Sequence, residues 1–196
     1  MTDRITSEIT SSGNTPRLLL HACCAPCASY VLEYLTEFFY IDVFFYNPNI
    51  LPAEEYDHRL TELKRLIKLL PHENEINLIE GTYEPEKYLD AIRGLEDIPE
   101  GGSRCGICLG MRVEETAKLA AKDGYDMFAT ALTVSHHKNA ERLNTLGYAA
   151  AERYGAVWLP SDVKKRNGYK RSVELCREYD IYRQNYCGCG LGNISE

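Results

Sequence analysis

The chain has 196 residues, 44% of them hydrophobic and 26% charged, which suffices for one domain with a substantial core and is too apolar for disorder. A net charge of -7 argues against a protein that coats nucleic acid through a general positive field, because such binding is dominated by phosphate neutralisation. No stretch approaches the roughly 20 apolar residues of a membrane span, and the opening MTDRITSEITSSGNTP lacks a signal peptide's apolar core. The expectation is a cytoplasmic protein with no membrane partner, with a flexible tail over 1–16 and a single domain over 17–196.

RLLLHA reads as a short buried strand, and ASYVLEYLTEFF after it has apolar residues at helical spacing. IDVFFYNPN is a second strand stopped by an Asn-Pro-Asn turn. Residues 53–70 place Tyr56, Leu60, Leu63, Leu66, Ile67 and Leu70 on one helical face with charges opposite, and EINLIEG is a third strand. PEKYLDAIRGL is helical, and EDIPEGGSR is a loop that delivers the chain to Cys105. CGICLGMRVEETAKLAAKDG forms a helix from the cysteines to Gly124. YDMFATALTVS is a strand, NAERLNTLGYAAAERYG a helix, AVWLP a short strand, and YKRSVELCREYDIYRQ a last helix before NYCGCGLGNISE.

This alternation predicts an α/β fold: a single three-layer, Rossmann-like domain with a mainly parallel sheet of about five strands. It resembles the ATP pyrophosphatase architecture, although cysteines stand where an SGGxDS-like loop would follow the first strand. Ligands of such sheets sit beyond the carboxyl ends of the strands. Cys23 and Cys24 directly follow the first strand and SHHKN the fourth.

Seven of the eight cysteines fall in three groups, Cys23/Cys24/Cys27, Cys105/Cys108 and Cys187/Cys189, while Cys176 stands alone at helical register and suits plain packing. In a reducing compartment such clusters point to metal or catalysis rather than structural disulfides. Cys23, Cys24, Cys105 and Cys108 could supply two pairs of thiolates to a cubane iron–sulfur cluster, and zinc would accept the same set. CAPC also fits a thiol–disulfide oxidoreductase using Cys24 and Cys27. CGC could close a strained, easily reduced disulfide or bind a further metal. A zinc-stabilised RNA-binding module is a third reading.

His136, His137 and Lys138 follow the fourth strand at a helix start, with Ser135 as a candidate N-cap. His21 lies inside the first strand, where packing is the expected role. Asp126, Asp162, Glu114 and Glu115 are candidate acids that nothing in the sequence separates from solvated carboxylates. Lys164, Lys165, Arg166, Lys170 and Arg171 form a basic patch with Tyr169 among them, suited to a phosphate backbone with a stacking partner.

HACCAPC, YNPNILPAEEY, RCGICLGMRVEETA, ALTVSHHKN and YRQNYCGCG resemble, in this order, the motifs of the cobalamin-independent epoxyqueuosine reductases, over residues 17 to about 190. SHHK departs from the serine–small residue–aromatic–lysine pattern of relatives. The resemblance implies removal of the epoxide oxygen of epoxyqueuosine, the last step in making the tRNA nucleoside queuosine. It also implies a [4Fe-4S] cluster on Cys23, Cys24, Cys105 and Cys108. Cys187 and Cys189 would then be a catalytic redox pair or ligands of an additional mononuclear iron. The implied partners are tRNA carrying epoxyqueuosine in the anticodon loop and an electron donor that the sequence does not identify. Turning an epoxide into an alkene consumes two electrons and two protons and releases water, and cysteine is the side chain suited to redox work.

Overall fold

The computed structural model describes residues 2–135, 138–162 and 167–191. Strands β1 (Arg17–His21), β2 (Tyr40–Phe45), β3 (Ile76–Glu80) and β4 (Met127–Thr130) form one parallel sheet in the order β3-β2-β1-β4. The helices are α1 (Thr2–Ser12), α2 (Ala25–Leu35), α3 (Ala53–Leu69), α4 (Pro85–Ala91), α5 (Ser103–Asp123), α6 (Ala140–Tyr154) and α7 (Gly168–Glu178).

Successive strand residues point to opposite faces, so a strand buried on both sides reads as an unbroken apolar run. Leu18 and Leu20 of β1, with Ile41, Val43 and Phe45 of β2, enter a core shared with α2, α3 and α7. Leu19, Phe44 and Phe128 enter the opposite core, built with α5 and α6. The result is the expected three-layer α/β arrangement. Two helices end on left-handed glycines, Gly124 (φ 67°) and Gly155 (φ 69°), a conformation that costs glycine little.

Three expectations are corrected. The sheet has four strands rather than five: AVWLP makes only an isolated parallel bridge, with Phe128 N–H donating to Val157 O (2.8 Å) and Leu159 N–H to Phe128 O (2.9 Å). Pro160 follows and has no amide to continue the ladder. The fourth strand stops at Thr130, whose hydroxyl oxygen accepts from Leu132 N–H (3.3 Å) and caps a 3-10 helix over Ala131–Val134. The flexible tail expected over 1–16 is helical over Thr2–Ser12, where Ile5 and Ile9, one turn apart, pack against the core on the α2 side.

The sheet order places the site. The chain leaves β1 toward β2 on one side, while β4 flanks β1 on the other, so the loops after β1 and β4 diverge and open a crevice at the carboxyl edge. Cys23 and Cys24 occupy that edge. Among the described residues no helix is long and apolar enough to cross a membrane.

Candidate metal centre

Cys24 is the N-cap of α2, in extended conformation, with a proline following in the first turn to end the strand and open the helix. The Sγ atoms of Cys23 and Cys24 are 3.6 Å apart, and with Cys27, one turn into α2, all three sulfurs lie within 4.8 Å of one another. That is close to the spacing one ion with thiolate bonds of about 2.3 Å requires. Hydrogen bonds from Cys23 and Cys27, reinforced by the Arg59 charge, hold Cys24 well below the ordinary thiol range. Hydrogen bonds with Cys23 and Cys24, together with burial, push Cys27 up. A helix N-terminus favours the thiolate further. Cys24 is thus the acidic member of the group.

The second group comes from α5. Arg104, Cys108 and Arg112 recur at intervals of four and share one helix face, which is buried. Arg112 is 3% exposed; its Nε donates to Cys108 O (3.1 Å) and its Nη2 to Cys108 Sγ (3.3 Å). Burial works against its charge, and the charges of Cys108, Cys23 and Cys187 favour it. Cys105, in the first turn, accepts from Gly101 N–H (3.3 Å). Cys105 and Cys108 stand outside the 4.8 Å group around Cys24.

The third group closes over the second. The sulfurs of Cys187 and Cys189 are 3.5 Å apart, and Cys189 packs with Cys108, Tyr88 and Ile92. Gly188 O accepts from Leu51 N–H (2.7 Å) in the loop after β2. A Cβ at Gly188 would stand 3.0 Å from Ile50 Cγ1 and 3.2 Å from Arg59 Nη1, so a larger residue would push these side chains back by a few tenths of an ångström. Arg104, 1% exposed, donates through Nη1 to Cys189 Sγ (3.1 Å) and through Nη2 to Leu191 O (3.1 Å) and Ile98 O (3.1 Å). The hydrogen bond between Cys189 and Cys187, with the Leu191 amide and Arg104, pulls Cys189 down to about 6 despite burial. The Tyr88 hydroxyl faces Arg104 and Cys189 without completing a hydrogen bond of normal geometry, and burial raises its pKa far above the ordinary phenol.

Set against known proteins, the Epoxyqueuosine reductase QueH family model matches residues 18–194. The chain belongs to that family. The Epoxyqueuosine reductase QueH of Streptococcus pyogenes is 48% identical over 176 residues, covering 89% of this chain and 69% of the relative. That of Staphylococcus epidermidis is 43% identical over 190 residues, covering 95% and 80%. That of Thermotoga maritima is 35% identical over 178 residues, covering 88% of each.

Of the remaining predicted residues in this QueH-family chain, His21 is structural. Its ring is fully buried between the Thr130 hydroxyl (2.9 Å from Nδ1) and Tyr46 O (3.2 Å from Nε2), and burial, aided by Arg112, lowers its pKa to about 4, so it is neutral. Asp126 accepts from Arg17 N–H (2.8 Å), Glu114 pairs with Arg153 and Glu115 with Lys118; Asp162 is half-buried. His136, His137, Lys164, Lys165 and Arg166 lie outside the described residues. Lys138 reaches the site, under the influence of Cys187 and paired with Glu100 at 2.8 Å. Arg171 is engaged by Glu33 (2.9 Å from Nε) and flanked by Glu174 and Glu178, and Lys170 pairs with Glu174 (4.0 Å), so both described cations of the basic patch already have acidic partners.

Sequence reasoning missed Arg59, Arg104 and Arg112. The spacing 104-108-112 around a cysteine was the legible signal for two of them. Arg59 falls beside Tyr56, Leu60 and Leu63 on the apolar face of α3, a place where an arginine needs an anion.

Proposed function

We propose that this protein is an iron–sulfur epoxyqueuosine reductase that acts on tRNA in the cytoplasm, with Cys23, Cys24, Cys105 and Cys108 holding a [4Fe-4S] cluster. The observation that carries the metal reading is the pair of buried guanidiniums on α5. Among the described residues neither Arg104 nor Arg112 forms an ion pair with a carboxylate, and both are directed at sulfur. Burying an uncompensated guanidinium costs at least several kcal/mol, about 3–5 when a partner is simply missing. Neutral thiols cannot offset that; thiolates can, and a bound metal keeps thiols deprotonated at neutral pH. The donor set therefore fits a thiolate-ligated metal, and the family's name for its reaction favours one that moves electrons.

When bound, the cluster supplies electrons singly at a potential set by its charge and surroundings. The chain's own residues do the rest. Arg59, Arg104 and Arg112 fix the sulfurs and balance their charge. The Cys187–Gly188–Cys189 segment, docked on Leu51 and Arg59, places a second pair of sulfurs beside Cys108, either as a redox dithiol or as ligands of an additional mononuclear iron. Two electrons and two protons enter, and the epoxide oxygen leaves as water.

The substrate base sits in an unpaired loop, so its recognition calls for stacking and phosphate contacts. Tyr182 and Tyr186, whose hydroxyls are 3.0 Å apart just before the CGC segment, offer aromatic surfaces beside it. The electrons come from a donor outside this chain.

Anaerobic purification tests the reading: iron and acid-labile sulfide in brown protein support it, and stoichiometric zinc ends it. Cys105→Ala should bleach the visible absorption; full colour and iron in that variant would remove Cys105 from the ligand set. Cys189→Ser should keep the cluster and abolish turnover, and parental turnover would remove the CGC pair from catalysis. A second reading, a thiol–disulfide oxidoreductase using Cys24 and Cys27, is favoured by the acidic Cys24 at a helix start. Colourless, metal-free protein that reduces disulfides would establish it.

A further inference from the structure

We propose that Arg112 is a positioning residue that supplies the buried counter-charge held against Cys108, and so sets the potential at which the cluster is reduced. This rests on the metal reading above. Three buried guanidiniums approach the sulfurs, and they are not equivalent. Arg59 is already bound to Glu55 (2.6 Å), which cancels most of its field at a distance. Arg104 spends its donors on Ile98 O, Leu191 O and Cys189 Sγ, at the far end of the α5 face. Arg112 has no carboxylate among the described residues, and its influence reaches cysteines of all three groups.

Its position is also fixed. The Nε bond to Cys108 O ties the fork to its own helix one turn back, so Nη2 is held against the sulfur rather than free to swing toward solvent. Reduction adds one negative charge to the cluster. In a buried, weakly polarisable site, a fixed positive charge and a hydrogen bond to a ligand sulfur both favour the reduced form, which raises the potential. Lysine would keep a charge but not the two-point fork, and its ammonium would not serve Cys108 O and Sγ together.

The test is a mediated redox titration of the anaerobically reconstituted full-length protein, followed by electron paramagnetic resonance and visible absorption, with iron and sulfide measured alongside. Arg112→Gln should load iron and sulfide as the parent does and be reduced at a more negative midpoint, with Arg112→Lys shifted in the same direction by less. Arg104→Gln, at similar depth but facing Cys189, should shift the cluster less than Arg112→Gln. A parental midpoint in Arg112→Gln, or an equal shift in Arg104→Gln, overturns the proposal while leaving the metal reading intact. If the glutamine variant does not fold, Arg112→Lys decides: a negative shift supports the role and a parental midpoint removes it. Failure of the parent protein to load iron would instead overturn the reading on which the proposal rests.

Discussion

Gly147→Ala makes a sharp test of how the site is seated, because two effects of opposite sign compete at one atom. Alanine inside a helix is favoured over glycine by about 0.8–1 kcal/mol. At Gly147 of α6, however, an added Cβ would stand 2.7 Å from Trp158 Cζ2 and nearer still to Cε2 and Cδ2. An ordinary carbon contact is about 3.5–4.0 Å, so the indole would have to withdraw by roughly 1 Å. It has little room to do so. Trp158 is 4% exposed, meets Phe128 edge-on with centroids 5.0 Å apart, and donates from Nε1 to Asn144 Oδ1 (3.0 Å). Asn144 is itself held by Ser161, accepting from its N–H (3.1 Å) and donating to its O (3.0 Å).

Overpacking a well-filled core costs about 1–3 kcal/mol, and with the ring pinned at both ends the upper part of that range applies. Subtracting the propensity gain leaves a net loss of about 1–2 kcal/mol, or a Tm lower by roughly 2–8 °C for a domain of this size. The consequence extends to the cysteines, because α6 also carries Arg142, which donates to Gly101 O (2.9 Å) and Gly102 O (3.3 Å) in the loop that leads to Cys105. Urea denaturation followed by the fluorescence of the single tryptophan measures both stability and ring environment. A variant as stable as the parent or more so, as propensity alone dictates, would refute the reasoning.

Glu62 accepts from Arg65 and from Tyr182 N–H (2.8 Å), and the Arg65 hydrogen bond holds its pKa below the ordinary carboxylate value. Its contribution is therefore complete above the unfolded pKa and lost as pH falls through the folded one; Glu62→Gln should flatten that part of the acid limb, and an unchanged limb would count against the assignment. Burial pushes Cys176 up to about 11, so native-state alkylation at pH 8 should spare it, and Cys176→Ala should cost about 1 kcal/mol with iron content unchanged; lost iron would place it in the site. Arg171→Ala, removing a partly exposed pair with Glu33, should cost at most about 1 kcal/mol and leave the salt dependence of tRNA binding as it was. A reduced slope would restore Arg171 to the RNA interface.

Much of the fold was legible because both faces of the sheet are covered. The runs RLLLH and YIDVFF can be nothing but buried strands, and the glycines after α5 and α6 mark their ends. AVWLP was over-read as a full strand: its apolar content is real, but Trp158 is consumed by packing on Gly147, and the ladder has one rung. The helix at Thr2–Ser12 escaped because its apolar residues, Ile5 and Ile9, are too few to stand out in a polar segment. Arg171 looked like part of a phosphate patch because the sequence does not show that Glu33 faces it from α2.

For the site, the cysteine spacings alone proposed a metal, since adjacent thiols, a CxxC at a helix start and a CxC are local facts that chain geometry carries unaided. Which charges stand around those sulfurs is a different matter. Arg59, Arg104 and Arg112 come from two helices separated by the whole third strand, and a guanidinium on a helix is indistinguishable from a solvated one until the sheet order β3-β2-β1-β4 folds its face inward. The local chain determined where the thiols cluster; only the tertiary structure decided the charges around them, because electrostatic compensation acts through space between segments remote in sequence.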